Sequence, residues 1–502
     1  MEESLTKNEI MASAKVKDVE LSDLSLGDVR QPGRVHGLSP SSESGEELVR
    51  SGSDSLVVDD DHEVRPGNSG RLGASFNFIN SIVGAGIIGL PFAVRECGFF
   101  MGLFMLLFVA VLTYSSVNLL IDSGIKVKRR SYEGLAEFCF GKAGFIIVSV
   151  FMLVFAFGAM CSYMVIIGDT VPVVINRYTG GNISRQLVIF LVGTFIILPL
   201  CLLRDMAMLS NTSSISVLAD VVIVFLVLIR AAPSKDAWPG DAIEPEFAFV
   251  NSSFFGGVGA ISFAYVCQHS SFIVFNTLQV PTKRNWRVVN CFSIATALVL
   301  SLMLALGGYL TFYDQTRANV LNNFDCGDDA INAARVLLAL TMILTYPMEQ
   351  FVARHSCYAM FFSVSPEPTG LYAMPLSWHL GITLTLWTLS LIVGLTVTDL
   401  GFILELTGAL GASFLGYILP PMMYFKVNSL KRVWQRSIDV FKPGTPDYSA
   451  CRKTQFNGCM LFWAPALMWF FGIIAMVAGT GNSIMMLLGE SNNDHECVVY
   501  KS

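Results

Sequence analysis

The sequence predicts an all-α integral membrane protein with about eleven transmembrane helices. Hydrophobic residues make up 53% of the 502 residues and charged residues only 14%, whereas soluble domains carry about 25% charged residues. Apolar runs of roughly 17 to 25 residues, the length that a helix needs to cross a bilayer, recur along the chain. Two of these runs contain glycine clusters, which disfavour a continuous helix.

The apolar runs form one predicted transmembrane domain, residues 72–482. Each run is bounded by polar or charged residues that mark its ends. The spans are predicted at 72–94, 98–121, 143–174, 187–203, 212–230, 255–277, 289–313, 331–351, 378–397, 400–424 and 459–482.

The first span contains the spacing G-x-G-x-x-G within residues 83–91, ahead of Pro91. Glycine costs about 1 kcal/mol relative to alanine in a helix interior, and proline removes a backbone donor. We therefore predict that the backbone opens near Gly84 and Gly86. An open backbone at membrane depth must face protein or a watery cavity, where it can bind an ion and a polar solute. Dinucleotide binding needs the same spacing after a strand, and apolar sequence on both sides disfavours that interpretation.

The sixth span opens with a second glycine cluster, residues 255–265. Spans one to five and six to ten start on opposite sides, so the two blocks would form two inverted five-helix repeats, with one helix added. Paired interrupted helices at corresponding positions of two repeats indicate a transporter site at the repeat interface. The alternative is that these glycines only allow close helix packing.

Residues 1–71 carry fifteen Asp or Glu against eight Lys or Arg. This composition predicts a disordered acidic tail. The tail is either a solvated leader or a binding segment for cytosolic regulators. Residues 483–502 are predicted to form a short extracytosolic tail.

The basic residues predict the orientation of the chain. Seventeen Lys and Arg fall in one set of loops and eight in the other, so the positive-inside rule places the amino terminus in the cytosol. Asn182 and Asn251 then begin sequons in outer loops and are candidate glycosylation sites. Cys326 and Cys497 also fall outside, where disulfides persist, and form a candidate disulfide.

The segment from Phe76 to Pro91 resembles the first helix of the amino acid/auxin permease family, and within it the sodium-coupled neutral amino acid transporter group. Segments 262–272 (SFAYVCQHSSF) and 344–349 (LTYPME) resemble the sixth and eighth helices of that group. The similarity extends from about residue 70 to 482. It implies ten core helices in two inverted repeats plus one, a LeuT-like fold with broken helices one and six. It also implies uptake of small amino acids by alternating access.

The resemblance implies a sodium site between helices one and eight. Asn80 matches the amide of helix one and Thr345 the hydroxyl of helix eight. Oxygen ligands suit a hard cation, and we expect the carbonyls of Val83 and Thr341 to complete the shell, since Thr341 and Thr345 share a helix face. Alternatively, Thr345 only caps a backbone carbonyl near Pro347.

The substrate is predicted to bind between the two breaks. Its carboxylate would meet amides near Gly84, where a half-helix begins. Its ammonium group would meet carbonyls of the sixth span, with Tyr265 as a gate. The predicted substrate-binding residues are Val83, Gly84, Ala85, Gly86, Ser262, Phe263, Ala264 and Tyr265.

Ionisable residues within spans are costly and mark functional sites or helix contacts. Glu405 is either a proton site or a helix-pairing carboxylate. His269 titrates near neutrality when unperturbed, so it is a second candidate proton site, or else a packing residue. Glu349 and Asp169 lie near predicted span ends, where we expect a structural role.

These observations predict a secondary active transporter for small neutral L-amino acids, with sodium as the co-transported ion and no cofactor. Neutral substrates are predicted because neither break contains a charged residue. The loops show no constellation typical of an enzyme. The alternatives are a proton-coupled amino acid carrier and a non-transporting amino acid sensor. The predicted partners are an amino acid, sodium or a proton, and the lipid bilayer. No nucleic-acid partner is predicted. The predicted location is the plasma membrane, with an endolysosomal membrane as the alternative.

Overall fold

The computed structural model describes residue 67 and residues 69–203, 212–231, 247–362, 374–429 and 448–489. Most of the predicted tails lies outside these ranges, so their assignment as separate segments stays a prediction. The α-helices are α1 (Arg71–Ile82), α2 (Ala85–Ile88), α3 (Leu90–Cys97), α4 (Phe99–Lys126), α5 (Tyr132–Thr179), α6 (Arg185–Val192), α7 (Leu198–Cys201), α8 (Thr212–Arg230), α9 (Phe254–Tyr265), α10 (Gln268–Thr277), α11 (Lys283–Phe312), α12 (Asp329–Phe362), α13 (Leu376–Thr396), α14 (Leu400–Thr407), α15 (Leu419–Asn428) and α16 (Tyr448–Gly489).

The described residues include nine helices that are long and apolar enough to cross a membrane. A shorter apolar helix, Arg185–Cys201, adds a tenth candidate. The first predicted span does not qualify by length because α1, α2 and α3 divide it into short pieces. All-helical architecture is therefore confirmed, and the count of eleven spans stays a prediction.

The predicted break in the first span is present, whereas the glycine cluster of the sixth span is helical in α9 and the break in that span follows it. Between α1 and α2, Val83 (φ −87°, ψ 79°) and Gly84 (φ −118°, ψ −142°) leave the helical region. Pro91 then lies in the first turn of α3, where a missing backbone donor costs nothing. In the sixth span, Val266 (φ −72°, ψ 121°) and Cys267 (φ −140°, ψ 8°) separate α9 from α10.

A buried glutamine stabilises the second break. The amide of Cys267 donates to Gln268 Oε1 at 3.0 Å, and Gln268 Nε2 donates to Ser116 Oγ of α4 at 3.2 Å. Gln268 is fully buried, so no water is available to satisfy the amide freed at the break. The side chain therefore supplies the acceptor that the interrupted helix lacks.

The two broken spans pack against each other and against a third helix. α3 packs on α9, and α1 packs on α10. A Cβ atom on Gly86 would lie 2.4 Å from Ala264 Cα of α9. A π-helical segment, Gly408–Ala412, packs on the other side of α9. There a Cβ atom on Gly408 would lie 1.9 Å from the carbonyl oxygen of Gly259.

Backbone hydrogen bonds join the residues just before α1 to the residues just after α10. Ser69 N donates to Thr277 O at 2.9 Å, and Gln279 N donates to Ser69 O at 3.1 Å. These bonds form a parallel bridge between Ser69 and Leu278. A Cβ atom on Gly67 would lie 2.1 Å from Thr277 O, so the approach at this point requires glycine.

The predicted end of the eighth span is wrong, because α12 continues from residue 351 to Phe362. Arg354 suggested an exposed loop, but its side chain is buried. Its guanidinium donates to Cys201 O and to Thr383 Oγ1, both at 3.0 Å. A buried arginine with such partners does not end a span.

Candidate functional site

A cavity lies where both broken helices open. Its walls come from the α1–α2 junction, from α5, from the α9–α10 junction and from α12. The lining residues are Asn80, Ser81, Ile82, Gly84, Ala85, Gly86, Phe155, Ala159, Tyr163, Phe263, Val266, Thr345, Met348 and Glu349.

The cavity brings together half of the predicted substrate-binding residues. Gly84, Ala85, Gly86 and Phe263 line it. The other four, which lie outside its lining, are Val83, Ser262, Ala264 and Tyr265.

Helix geometry explains why the other residues of the sixth span do not line the cavity. Successive residues of a helix point in different directions, so Phe263 faces the cavity while its neighbours Ser262 and Ala264 do not. Tyr265 is fully buried and lies away from the cavity. It is therefore not placed to act as the predicted gate in this conformation.

The two glycines of the first break differ in what surrounds them. A Cβ atom on Gly84 would meet only the hydroxyl oxygen of Tyr163, at 3.6 Å. A Cβ atom on Gly86 would instead collide with the backbone of Ala264. Gly84 therefore leaves space in the cavity, and Gly86 allows two helices to approach, as the packing alternative predicts for that position.

Two of the four predicted sodium ligands meet at the cavity. Asn80 and Thr345 both line it, whereas Val83 and Thr341 do not. Thr345 Oγ1 donates to Thr341 O at 2.7 Å, which is the capping contact that the alternative predicts. A hydroxyl that donates its hydrogen keeps its oxygen lone pairs, so this contact still allows Thr345 to bind a cation. The sodium site stays a prediction.

Sequence reasoning missed Glu349 as a cavity residue. It lines the cavity, and its Oε1 atom lies 3.5 Å from His269 Nε2. The ring of His269 packs on Phe155 with a centroid distance of 5.1 Å. Because the predicted eighth span ends at residue 351, the sequence places Glu349 beside a loop. In the structure α12 continues to Phe362. The absence of charge in the two breaks therefore does not make the cavity uncharged.

Glu405 lies apart from the cavity. It is 1% exposed in α14. A Cβ atom on Gly256 would lie 2.4 Å from Glu405 Oε2 and 2.6 Å from Asn482 Nδ2. Glu405 is thus placed where α9 and α16 approach α14, which favours the helix-pairing interpretation.

Asp169 pairs with Arg185, with Oδ1 and Nε 3.3 Å apart. Arg185 also donates to the carbonyl oxygens of Gly394 and Val397, at 3.0 and 3.1 Å. These contacts join α5 to the start of α6 and the end of α13. They agree with the structural role that the sequence predicts for Asp169.

The candidate glycosylation sites differ in accessibility. Asn182 is exposed, whereas Asn251 Nδ2 donates to Arg95 O at 2.6 Å in a half-buried position. We expect Asn182→Gln to abolish an endoglycosidase-sensitive mobility shift, and Asn251→Gln to leave it unchanged, because a glycan on Asn251 would displace this hydrogen bond. A shift that persists in Asn182→Gln and disappears in Asn251→Gln would contradict the prediction.

The candidate disulfide cannot be located. Cys326 lies half-buried between α11 and α12. Cys497 lies outside the described residues. The pairing therefore stays a prediction.

Comparisons with known proteins agree with this architecture. The family model for transmembrane amino acid transporter proteins matches residues 67–444. The protein named putative sodium-coupled neutral amino acid transporter 11 of Danio rerio is 35% identical over 72% of this chain and 80% of the relative. Vacuolar amino acid transporter 2 of Saccharomyces cerevisiae is 29% identical over 86% of this chain and 93% of the relative.

One solved structure supports the fold. Mhp1, a nucleobase-cation-symport-1 family transporter in a closed conformation with bromovinylhydantoin bound, has a TM-score of 0.52 at 11% identity, over 85% of this chain and 94% of Mhp1. The sequence relatives are named transporters, which confirms that this chain is not an enzyme. From the family match and these relatives we conclude that the chain belongs to the transmembrane amino acid transporter protein family.

Proposed function

We propose that this protein is a secondary active transporter of small neutral L-amino acids that works by alternating access. The observation that carries this proposal is the cavity at the junction of the two broken helices. Polar backbone at membrane depth is tolerated where it lines a cavity and binds a solute. The names of the relatives support an amino acid as that solute.

The substrate carboxylate is proposed to bind the backbone near Gly84 and Ala85, where the chain leaves α1 and enters α2. Phe263 and Phe155 line the same cavity and would contact a small apolar side chain. Two inverted repeats, spans one to five and six to ten, would then alternate the access to this cavity. The acidic segment 1–71 is proposed to lie in the cytosol.

Sodium is the proposed coupling ion, and the named relative from Danio rerio supports it. Asn80 and Thr345 supply oxygen atoms from two different helices at the cavity wall. A specific observation favours the proton as the second candidate: His269 and Glu349 form a buried acid–base pair beside the cavity. The plasma membrane is the proposed location, and the vacuolar relative supports an endolysosomal membrane as the alternative.

Uptake by the purified protein in proteoliposomes tests the proposed function. Labelled alanine or glutamine should accumulate when a sodium gradient is imposed and should not accumulate without one. Neutral amino acids should compete, whereas lysine and glutamate should not. Accumulation driven by a proton gradient alone would show that the coupling ion is the proton and not sodium. Strong competition by lysine or glutamate would contradict neutral substrates, and no uptake under either gradient would contradict transport.

We expect Asn80→Ala and Thr345→Ala to raise the half-saturating sodium concentration of uptake about ten- to hundredfold, because each removes one oxygen from the ion. Thr385→Ala is the matched control. Thr385 Oγ1 also donates to a carbonyl one turn back, that of Gly381 at 2.9 Å, but it is exposed on α13. An unchanged sodium curve in both cavity variants, with normal amounts of protein in the membrane, would exclude the proposed sodium site.

A further inference from the structure

We propose that the carboxylate of Glu349 binds the ammonium group of the transported amino acid. This inference rests on the proposed function, because it assigns one group of the substrate to one residue of the cavity. Glu349 lines the cavity, and its side chain is 12% exposed. Glu349 Oε2 is shielded from water and has no hydrogen-bond partner among the described residues.

A buried carboxylate oxygen without a partner is unfavourable, since it has lost water and gained nothing in exchange. Its neighbours in the cavity do not meet that need. Among the described lining residues, Glu349 is the one charged side chain. A cation or a strong donor that enters the cavity would satisfy this oxygen.

His269 lies beside the carboxylate. Its Nε2 atom is 3.5 Å from Oε1 and leaves Oε2 for another donor. Contact with Phe155 positions the ring of His269 from the side of α5. His269 is thus a positioning residue for Glu349.

Among the described residues, the basic side chains named next have other partners. Arg354 of α12 donates to Cys201 O and Thr383 Oγ1. On α4, Asp122 pairs with Lys283 and Arg287, and Lys126 donates to Asn428.

An amino acid fits this distribution of charge. Its ammonium group has three donors and a full positive charge, which suits a carboxylate. Of the residues whose carbonyls are predicted as its acceptors, Phe263 lines the cavity, whereas Ser262 and Ala264 do not. Glu349 lies on a different helix from Gly84 and Ala85, so the two charged ends of one zwitterion would bind two different helices. A neutral amino acid can thereby bridge the first broken span and α12.

The test compares alanine with lactate, in which a hydroxyl group replaces the ammonium group. Inhibition of labelled glutamine uptake is measured for both compounds at saturating sodium, in the parent protein and in Glu349→Gln. We expect Glu349→Gln to raise the inhibition constant of alanine at least about tenfold and to leave that of lactate nearly unchanged. Glu349→Asp keeps the charge with a shorter reach, so its alanine constant should lie between the two.

Three outcomes would overturn the proposal. Equal losses for alanine and lactate would assign Glu349 a structural role. A change only in the half-saturating sodium concentration would assign it to the ion. An unchanged alanine constant in both variants would exclude the contact. By contrast, a parent protein that transports no amino acid would refute the proposed function itself, so the two failures are distinguishable. If Glu349→Gln does not reach the membrane, the inhibition constants of alanine and lactate are compared between Glu349→Asp and the parent protein.

Discussion

Gly86→Ala is expected to abolish most uptake and to lower the yield of folded protein, whereas Gly84→Ala is expected to fold normally and to lower only substrate affinity. The two substitutions add the same methyl group two residues apart. At Gly86 the added carbon would lie 2.4 Å from Ala264 Cα, a backbone atom that cannot rotate away. Overpacking of this kind costs about 1 to 3 kcal/mol or more.

At Gly84 the added carbon would project towards Tyr163, 3.6 Å from the hydroxyl oxygen. This is ordinary van der Waals contact, so the fold should tolerate it, while the space for the substrate decreases. Size-exclusion profiles after heating report folding, and the KM for alanine reports the cavity. Equal behaviour of the two variants would show that the glycines do not differ in this way. Parental KM in Gly84→Ala would place the substrate elsewhere.

Gly408→Ala is expected to have a comparable effect, although Gly408 does not line the cavity. Its added carbon would lie 1.9 Å from Gly259 O and 2.9 Å from Phe263 N. Both atoms belong to the backbone of α9, and Phe263 lines the cavity. The substitution should therefore displace α9 and reduce both thermal stability and uptake.

Gly381→Ala is the matched control for Gly408→Ala. It also replaces a glycine within a helix, but among the described residues no atom outside the local backbone of that helix lies within 4 Å of the added carbon. Alanine should therefore be neutral or stabilise α13 by about 0.5 to 1 kcal/mol. Heating profiles and uptake are compared for both variants and the parent. If Gly408→Ala matched Gly381→Ala, the close approach of the π-helical segment to α9 would not limit stability.

The break in the first span could be predicted from the sequence because its causes are local, whereas the glycine cluster of the sixth span does not interrupt α9. Gly84, Gly86 and Pro91 weaken the helix at the position where they occur, whatever surrounds them. The rotation of α9 about its axis could not be predicted, because the helix is apolar along its whole length and has no distinct polar face. Phe263 lines the cavity, whereas Ser262 and Tyr265 do not, and their roles in substrate binding stay predictions.

Contacts between distant segments were the least predictable part of the site. The sequence predicts a loop at Arg354, because the partners that allow its burial, Cys201 and Thr383, are far away in sequence. The same mistake hid Glu349. The sequence does not single out Gln268 either, although it does single out its neighbour His269. Its role depends on Ser116, which reaches it only in the folded protein.

If the protein works by the proposed alternating access, the bridge between Ser69 and Leu278 has a mechanical consequence for that cycle. It couples the first residues before α1 to the first residues after α10. If α10 swings outward, it must either carry α1 with it or break both hydrogen bonds, at a cost of about 1 to 3 kcal/mol. α1 and α10 would therefore move together. A displacement of the chain at Ser69 would act on both α1 and α10.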